Sequence, residues 1–388
     1  MLTAENIVFS RPYRTEKELP NIEAVLESGH VHGDGPFTAA ATQKLKQISG
    51  AQNALLTTSC THALEMSSLL LGLAPGDEVI MPSFTFPSAA TAIALSGATP
   101  VFVDIDMTSG NVDVASAEQA ITPRTKALSV VHYAGVAADM ASLLALSSEY
   151  GLPIIEDNAH GLGGQWQGRS LGTIGSVGTQ SFHDTKNIHC GEGGALLVND
   201  QSLMERAEMI REKGTDRSRF LRGQVDKYTW TDIGSSYLLS ELNAAVLDSQ
   251  LAEFDSVQAK RHAVWDDYAE NLADWADDNG ATLMHVPDDR QHTAHMFYIL
   301  MPTHHDQMGL IAHLRANGIS APFHYIPLDS SPGGLRYGRT PDACIASAEF
   351  SSRLVRLPLW AGLSTAQVDR VIDGVLGYAA VGRATMVA

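Results

Sequence analysis

Short apolar runs alternate with helical patterns along the first part of the chain. The apolar runs have the length of buried strands, and they lie at residues 54–57, 78–81, 99–103, 127–131 and 152–155. Helical patterns separate them at residues 61–72, 87–96, 115–121 and 138–149. Because strands that alternate with helices build parallel sheets, this part is predicted to be a doubly wound α/β domain with a mostly parallel sheet.

Longer helical patterns begin after about residue 240, and the C-terminal part mixes them with shorter apolar runs. Residues 295–301 and 320–325 are predicted to be strands, and residues 306–316 a helix that Asp306 caps. Ser364 and Gln367 have the spacing of a capping box for the last helix. We expect a large domain over residues 1–245 and a smaller α+β domain over residues 246–388, with no flexible linker between them.

The composition is that of an ordinary globular protein, with 388 residues, 44% hydrophobic and 18% charged. No segment has the roughly 20 consecutive apolar residues of a membrane span. The opening stretch 1–19 carries charges throughout and lacks the apolar core of a signal peptide. Three scattered cysteines are too few for a disulfide framework or a four-ligand zinc site. We therefore expect a cytoplasmic protein that does not bind membranes.

The net charge of −18 argues against a nucleic-acid role, because phosphate backbones are bound by clustered lysines and arginines. The one basic stretch consists of Arg211, Lys213, Arg217, Arg219, Arg222 and Lys227. It is interpreted either as a solvated surface or as a local positive patch that receives an anionic substrate.

Lys186 and Asp157 are the most informative residues of the chain. Lys186 lies among small and polar residues in the run 181–187, and Asp157 closes the apolar run that ends at residue 155. Pyridoxal phosphate (PLP) chemistry needs an amine for the Schiff base and a carboxylate for the pyridine nitrogen. Both residues follow strands of the predicted sheet, and the carboxyl ends of parallel strands meet at one edge. The sequence therefore predicts a PLP enzyme.

Further features suit this cofactor, although each also has an ordinary structural interpretation. Residues 58–61 open a helix with small hydroxyls and backbone N–H groups that suit a phosphate, but they are equally an ordinary helix cap. Phe86 offers a flat apolar partner for the ring, or is a core residue. Asp157 serves the ring nitrogen, or caps a helix or binds a metal. His160 contacts the ring hydroxyl, or is a polar loop residue.

Other motifs are weaker. Gly161, Gly163 and Gly164 resemble a dinucleotide-binding loop, but Trp166 occupies the place of its third glycine. His304, His305 and Asp306 form a short metal-like cluster, but adjacent histidines diverge and no zinc motif accompanies them. We expect a surface loop there and no metal site.

A series of motifs resembles the DegT-type sugar-nucleotide aminotransferases of PLP fold type I, over almost the full chain. The motifs are Gly33-Asp-Gly-Pro-Phe, Thr58-Ser-Cys-Thr, Met81-Pro-Ser-Phe-Thr-Phe, Val131-His-Tyr-Ala-Gly, Glu156-Asp-Asn-Ala-His, Ser181-Phe-His-Asp-Thr-Lys-Asn, Gly234-Ser-Ser-Tyr and Phe323-His-Tyr-Ile-Pro-Leu. Residues 211–238 are similar to the dTDP-4-amino-4,6-dideoxygalactose transaminase group. The resemblance implies a mostly parallel large domain and a smaller α+β C-terminal domain.

The resemblance also implies roles for individual residues. Lys186 would carry the Schiff base and move protons, Asp157 would hold the ring nitrogen, Phe86 the ring face and His160 the phenolic oxygen. The phosphate would be held by Cys60, Thr61 and Ser181, and by Ser236 from the neighbouring subunit, where the family usually has an asparagine. A homodimer with shared active sites is therefore implied.

The implied reaction moves an amino group from glutamate to C4 of dTDP-4-keto-6-deoxyglucose, with pyridoxamine phosphate (PMP) as the intermediate form of the cofactor. Tentative substrate residues are Arg219, Arg222, His324, Tyr325 and Asp329. Asp329 stands where the close group tends to have histidine, so a 4-ketopentose nucleotide is an alternative substrate. A PLP sugar dehydratase is disfavoured because those enzymes replace the lysine with histidine. A non-catalytic regulator is disfavoured by the complete cofactor set.

Overall fold

The computed structural model describes residues 6–380, so residues 1–5 of the opening stretch 1–19 and residues 381–388 lie outside it. The helices are α1 (Glu18–Ser28), α2 (Pro36–Ser49), α3 (Cys60–Leu70), α4 (Pro87–Leu95), α5 (Val114–Gln119), α6 (Met140–Tyr150), α7 (Met204–Arg211), α8 (Arg217–Leu221), α9 (Glu241–Ala252), α10 (Phe254–Asn279), α11 (His304–Ala316), α12 (Pro332–Tyr337), α13 (Ile345–Arg353) and α14 (Thr365–Leu376). The strands are β1 (Ala54–Thr57), β2 (Glu78–Pro82), β3 (Thr99–Val103), β4 (Thr125–Val131), β5 (Ile154–Asp157), β6 (Gln165–Trp166), β7 (Arg169–Ser170), β8 (Val177–Ser181), β9 (Gly194–Val198), β10 (Thr282–Leu283), β11 (Arg290–Gln291), β12 (Phe297–Leu300) and β13 (Leu354–Leu357).

The main sheet has seven strands in the order β1-β9-β8-β5-β4-β2-β3. Strands β3, β2, β4, β5 and β8 are parallel to one another, and β9 pairs antiparallel with both β8 and β1. The apolar runs predicted at residues 54–57, 78–81, 99–103 and 127–131 lie within β1 to β4, and the run 152–155 overlaps the start of β5. The prediction of a mostly parallel sheet is therefore confirmed.

Helices cover both faces of this sheet. Successive side chains along each strand point to opposite faces and pack into two different apolar clusters. Val79 and Met81 of β2 pack with α3, α4 and α7, whereas Ile80 between them packs on the other face with α5 and α6. A sheet that is covered on both faces must be apolar on both. The sequence of each strand is therefore a continuous hydrophobic run and does not alternate between polar and apolar residues.

A second, smaller sheet of the order β10-β12-β13 lies in the C-terminal part. Its apolar side chains form a separate core with α10, α11 and α14, to which Tyr268, Phe297 and Leu314 belong. The predicted division of the chain at residue 245 stays a prediction. No helix within residues 6–380 is both long and apolar enough to cross a membrane.

Two local predictions were wrong in detail. Residues 320–325 form no strand; Pro322 has no N–H for a ladder and the backbone of Tyr325 turns to a φ of 26°. The segment nevertheless runs along β13, where the Arg356 N–H donates to the Pro322 carbonyl at 3.0 Å. Helix α11 is capped by Thr303, whose hydroxyl accepts from the Asp306 N–H, so Asp306 lies in its first turn. The capping box of Ser364 and Gln367 is confirmed.

Candidate active site

A cavity of about 480 Å³ lies at the carboxyl edge of the parallel strands. Its walls include the start of α3, the loop that follows β2, the end of β5 and the loop that follows β8. The C-terminal part closes it with residues of β13 and of the loop that carries His324 and Tyr325. The expected convergence of the motifs on one edge of the sheet is therefore observed.

Asp157 ends β5 with its side chain in the cavity, and it is 5% exposed. One carboxylate oxygen accepts from the Ala159 N–H at 3.1 Å, and no ion pair reaches this side chain within residues 6–380. Burial raises the pKa of Asp157, while the Ala159 N–H, Lys186 and His132 act in the opposite direction. A cation placed against this carboxylate would therefore offset part of its burial cost.

The preceding residue, Glu156, points to the other side of the strand and has a different role. Its carboxylate accepts from His132 Nε2 at 2.9 Å and from the backbone N–H groups of Gly172, Ile174 and Gly175 at 2.8, 2.6 and 2.5 Å. This buried carboxylate holds the 172–175 turn beside the sheet. Of the two adjacent acids, Asp157 alone lines the cavity.

Lys186 lies in the loop between β8 and β9, and its side chain lines the cavity. The backbone N–H of Lys186 donates to the backbone carbonyl of His183 at 2.9 Å, and this hydrogen bond closes a turn in the loop. Burial lowers the pKa of Lys186, while Cys60 and Asp157 act in the opposite direction. The neutral amine, which is the nucleophilic form, is thereby favoured.

The first turn of α3 directs its backbone N–H groups and small side chains at the same cavity. Ser59 caps the helix by accepting from the His62 N–H at 3.1 Å, and Cys60 and Thr61 follow it. The Thr61 hydroxyl lies 2.8 Å from that of Ser88 in the first turn of α4, so two helix N-termini meet here. Burial raises the pKa of the Cys60 thiol to about 12, so this thiol adds no negative charge. The arrangement suits a phosphate group.

Gly194 allows the sheet to reach this helix end. It pairs with Ser181 across β8 and β9, and a Cβ at this position would lie 2.4 Å from the Cys60 nitrogen. No side chain can be accommodated there without displacing the start of α3. The close packing explains how Ser181 and Cys60, which are distant in sequence, come to line one cavity.

Phe86 is the N-cap residue of α4, lines the cavity and is 55% exposed. A core phenylalanine would be buried, as Phe84 is at 1% exposure, so the alternative interpretation of Phe86 as a core residue is wrong. Its ring centroid lies 6.1 Å from that of Tyr325, which also lines the cavity. One face of Phe86 is therefore available to a flat ligand.

Three histidines line the cavity, of which His160 and His324 are buried and His295 is half-buried. The rings of His160 and His295 stack with centroids 4.3 Å apart, and His324 Nδ1 lies 2.8 Å from the Tyr133 hydroxyl. Tyr325 OH lies 3.5 Å from His160 Nε2, whereas His160 Nδ1 is buried without a partner in residues 6–380. Burial lowers the pKa of all three imidazoles well below 6.5, and Lys186 acts in the same direction. They are neutral.

Several sequence-predicted residues lie elsewhere in this chain. Arg219 pairs with Glu205 at 3.3 Å and Arg222 with Glu208 at 2.8 Å, and neither lines the cavity. Ser236 is exposed and is also absent from the lining. Asp329 accepts from the Ser83 hydroxyl instead of facing the cavity, and thereby ties the loop of Tyr325 to the end of β2. Substrate roles for Arg219, Arg222 and Asp329 stay predictions.

Residues 12–376 match the DegT/DnrJ/EryC1/StrS aminotransferase family. The chain belongs to this family. Solved structures agree with the match in fold: the aminotransferase TlmJ from Streptoalloteichus hindustanus is 28% identical, with 98% of this chain and 100% of that chain covered and a TM-score of 0.88.

DesV from S. venezuelae, in complex with a ketimine intermediate, is 33% identical over 92% of this chain and 93% of its own, with a TM-score of 0.84. The putative sugar aminotransferase Spr1654 from Streptococcus pneumoniae, in its PMP form, is 25% identical over 95% of this chain and 98% of its own, with a TM-score of 0.87. The predicted fold class, PLP fold type I, is confirmed by these likenesses.

The residues of the cavity suit the cofactor of the DegT/DnrJ/EryC1/StrS family. A helix N-terminus with two hydroxyls and a neutral thiol suits the phosphate, and Asp157, which is buried and has no ion-pair partner within residues 6–380, suits a protonated ring nitrogen. The exposed face of Phe86 suits the ring, and His160, which lines the same cavity, has a buried Nδ1 without a partner in residues 6–380. No group of three or more potential metal ligands occurs within residues 6–380.

The sequence did not single out some residues that the cavity contains. His295 was part of a predicted strand, but it precedes β12 and donates from Nδ1 to Asn187 Oδ1 at 2.9 Å. The tautomer follows because Asn187 Nδ2 donates to Gln258 and to the Thr293 carbonyl, which leaves Oδ1 as the acceptor. Arg356 on β13 also lines the cavity. Neither residue belongs to a motif that would mark it in sequence.

Replacing His160 with glutamine is expected to weaken the loss of stability at acid pH. The native pKa of His160 lies well below 6.5, so as the pH falls through about 6.5 only the unfolded chain gains this proton. The free energy of unfolding then falls by up to about 1.4 kcal/mol per pH unit for this residue. Urea unfolding of wild type and variant between about pH 8 and about pH 5 measures the difference.

The control for this experiment is His305→Gln, at an exposed position of α11. Equal slopes of the unfolding free energy against pH in wild type and His160→Gln would contradict the assignment of a neutral, buried His160.

Proposed function

We propose that this chain is a PLP-dependent aminotransferase that moves an amino group from glutamate to C4 of dTDP-4-keto-6-deoxyglucose. The observation that carries the proposal is the meeting of Lys186, Asp157 and the N-terminus of α3 in one cavity. The family supports amino transfer, and a structural neighbour of 25% identity is itself a putative sugar aminotransferase. The similarity of residues 211–238 to the dTDP-4-amino-4,6-dideoxygalactose transaminases supports the choice of sugar.

Bound PLP supplies an electron sink for a carbanion at the substrate carbon. Side chains of the protein would transfer the proton and hold the cofactor. Lys186, with its pKa lowered by burial, would accept on Nζ the proton of the substrate carbon and donate it to the cofactor carbon that is bonded to the transferred nitrogen. Asp157 would pair its negative charge with the ring nitrogen, and Phe86 would cover one face of the ring. Cys60, Thr61 and Ser181 would hold the phosphate and so position the cofactor in the cavity that Lys186 lines.

The protein is proposed to be a homodimer with shared active sites. Residues 217–236 carry exposed apolar side chains, namely Leu221 (65%), Trp230 (77%) and Ile233 (59%), next to exposed Ser236. Such a cluster on one segment is characteristic of a surface that a partner covers. Light scattering of the purified protein tests this: the expected mass is twice the 41.6 kDa of one chain. A monomer at micromolar concentration would rule out the shared site.

The absorption spectrum of the PLP-loaded protein tests the function, read before and after glutamate and then after dTDP-4-keto-6-deoxyglucose. We expect the long-wavelength band of the lysine-bound cofactor to disappear with glutamate and to return with the sugar. Loss without return identifies an aminotransferase for another keto compound, and a 4-ketopentose nucleotide is then the next substrate to try. Absence of the band at the start would contradict the role of Lys186.

A further inference from the structure

Two side-chain amides fix His295 in one tautomer. The Thr293 carbonyl can only accept, and Asn187 Nδ2 donates to it at 2.8 Å, so the other polar atom of that amide is the oxygen Oδ1. Gln258 Nε2 donates to the same carbonyl at 3.2 Å, which leaves Gln258 Oε1 to accept from Asn187 at 2.8 Å. Asn187 Oδ1 therefore accepts from His295 Nδ1 at 2.9 Å, and the proton of this neutral ring is on Nδ1.

The second ring nitrogen of His295, Nε2, is a hydrogen-bond acceptor without a partner. It makes no hydrogen bond within residues 6–380, and the ring is half-buried in the lining of the cavity. Nε2 keeps contact with solvent, whereas the unpartnered Nδ1 of His160 is fully buried. A ligand in the cavity can therefore reach the lone pair of His295 Nε2.

The other two histidines of the cavity have no acceptor that their contacts define in this way. His324 Nδ1 lies 2.8 Å from the Tyr133 hydroxyl, which can donate or accept, so this contact does not fix a tautomer. His160 Nε2 lies 3.5 Å from the Tyr325 hydroxyl. The ring of His160 stacks on that of His295 with centroids 4.3 Å apart, and this contact holds the plane of the His295 ring. The Nε2 lone pair of His295 is therefore fixed in direction as well.

We propose that His295 Nε2 accepts a hydrogen bond from the sugar hydroxyl on C3, the carbon next to the reacting C4. This inference rests on the proposed function and specifies how its site recognises the acceptor sugar. Lys186 must reach the reacting carbon, and it lies close enough to His295 to act on that ring electrostatically. In the 6-deoxy sugar the other neighbour of C4, C5, bears the ring oxygen and a methyl group, so only C3 offers a hydroxyl beside C4. The alternative 4-ketopentose carries the same hydroxyl.

The lone pair of Nε2 distinguishes the two substrates by their hydrogen-bonding groups. A sugar hydroxyl can donate, whereas the carboxylates of glutamate at neutral pH can only accept. The nitrogen of glutamate is the reacting atom and is engaged with the cofactor. A carboxylate placed against Nε2 would leave two acceptors facing each other without a proton between them. His295 therefore strengthens the binding of the sugar and contributes little to the binding of glutamate.

The experiment compares the wild type, His295→Phe and the control His305→Phe, which changes an exposed histidine of α11. Phenylalanine keeps a flat ring to stack on His160 but has no ring nitrogen. Calorimetry measures how tightly the PLP-loaded proteins bind dTDP-6-deoxyglucose, which has a hydroxyl in place of the keto group, and its 3-deoxy analogue. We expect His295→Phe to weaken binding of the first compound roughly 3- to 10-fold, from the loss of one neutral hydrogen bond. Binding of the 3-deoxy analogue should be unchanged, and His305→Phe should match the wild type with both compounds.

Nitrogen-15 NMR of the wild type with labelled histidine observes Nε2 directly. The resonance of an unprotonated ring nitrogen moves upfield when that nitrogen accepts a hydrogen bond. We expect the Nε2 resonance of His295, identified by its absence from the spectrum of His295→Gln, to move with dTDP-6-deoxyglucose and not with the 3-deoxy analogue. Thermal unfolding checks that the variants are folded, and if His295→Phe is not, the NMR measurement decides.

The outcomes distinguish this inference from the proposed function. A His295→Phe variant that binds dTDP-6-deoxyglucose as tightly as the wild type overturns the inference and leaves the proposed function intact. Equal losses for this compound and its 3-deoxy analogue would mean that His295 supports the cavity by packing alone, which also overturns it. A wild type whose absorption spectrum does not respond to glutamate overturns the proposed function, and the inference with it.

Discussion

Replacing Lys186 with alanine is expected to abolish turnover while the protein stays folded and still binds PMP. The side chain lies at the cavity wall in the loop after β8 and supports no part of the apolar core. Its removal takes away both the covalent link to the cofactor and the proton carrier, so a loss of at least about 10⁴-fold is expected. Product formation from glutamate and the keto sugar measures the loss.

The control for this variant is Lys126→Ala, an exposed lysine on β4 outside the cavity. Calorimetric titration of the Lys186→Ala protein with PMP shows whether the phosphate site at α3 is intact. A Lys186→Ala variant that retained more than about a tenth of the wild-type rate would contradict the assignment, because the loss of a positioned proton carrier alone slows the reaction by at least about 10²-fold.

The sheet was predictable because strands that are buried on both faces have continuous apolar sequences. The strands β2, β3 and β4 are covered by helices on both sides, so their apolar runs are continuous and bounded by turns. Once parallel strands are assigned, the edge at which Lys186 and Asp157 meet follows from the topology alone. The pairing of β9 antiparallel to β8 has no comparable signal, since it depends on Gly194 fitting against the start of α3.

Tertiary packing decided the features that sequence patterns did not predict. Arg356 is a charged residue in the otherwise apolar strand β13. From the sequence alone such a residue is predicted to face solvent, but in the folded chain it lines the cavity. Residues 320–325 have the composition of a strand, yet Pro322 and the positive φ of Tyr325 prevent regular pairing. A positive φ at a non-glycine residue is strained, and it occurs here beside the candidate active site.

The adjacent acids Glu156 and Asp157 illustrate how one residue step separates structure from chemistry. Successive side chains of β5 point to opposite faces, so one carboxylate enters the 172–175 turn and the other the cavity. Glu156 is satisfied by His132 and three backbone N–H groups. Asp157 has no ion-pair partner within residues 6–380, and its pKa is raised by burial. The acid that lacks an ion-pair partner is therefore the one that lines the cavity.

Replacing Asp157 with asparagine is expected to slow both halves of the reaction, each by roughly 10²- to 10³-fold. The amide has nearly the same shape, but it carries no charge to stabilise a protonated ring nitrogen, and both halves draw on the same ring. Rapid-mixing absorption measurements with glutamate and with the keto sugar follow the two halves separately. Because the amide relieves a buried charge, the apo variant is expected to be at least as stable as the wild type to urea.

Asp288→Asn, at an exposed acid outside the cavity, is the control for the change from carboxylate to amide. If Asp157→Asn slowed only the glutamate half, the carboxylate would be acting on the donor and not on the ring. If neither half changed while the protein still bound PLP, the carboxylate would have no catalytic role. The proposed orientation of the cofactor, with its ring nitrogen at Asp157, would then be wrong.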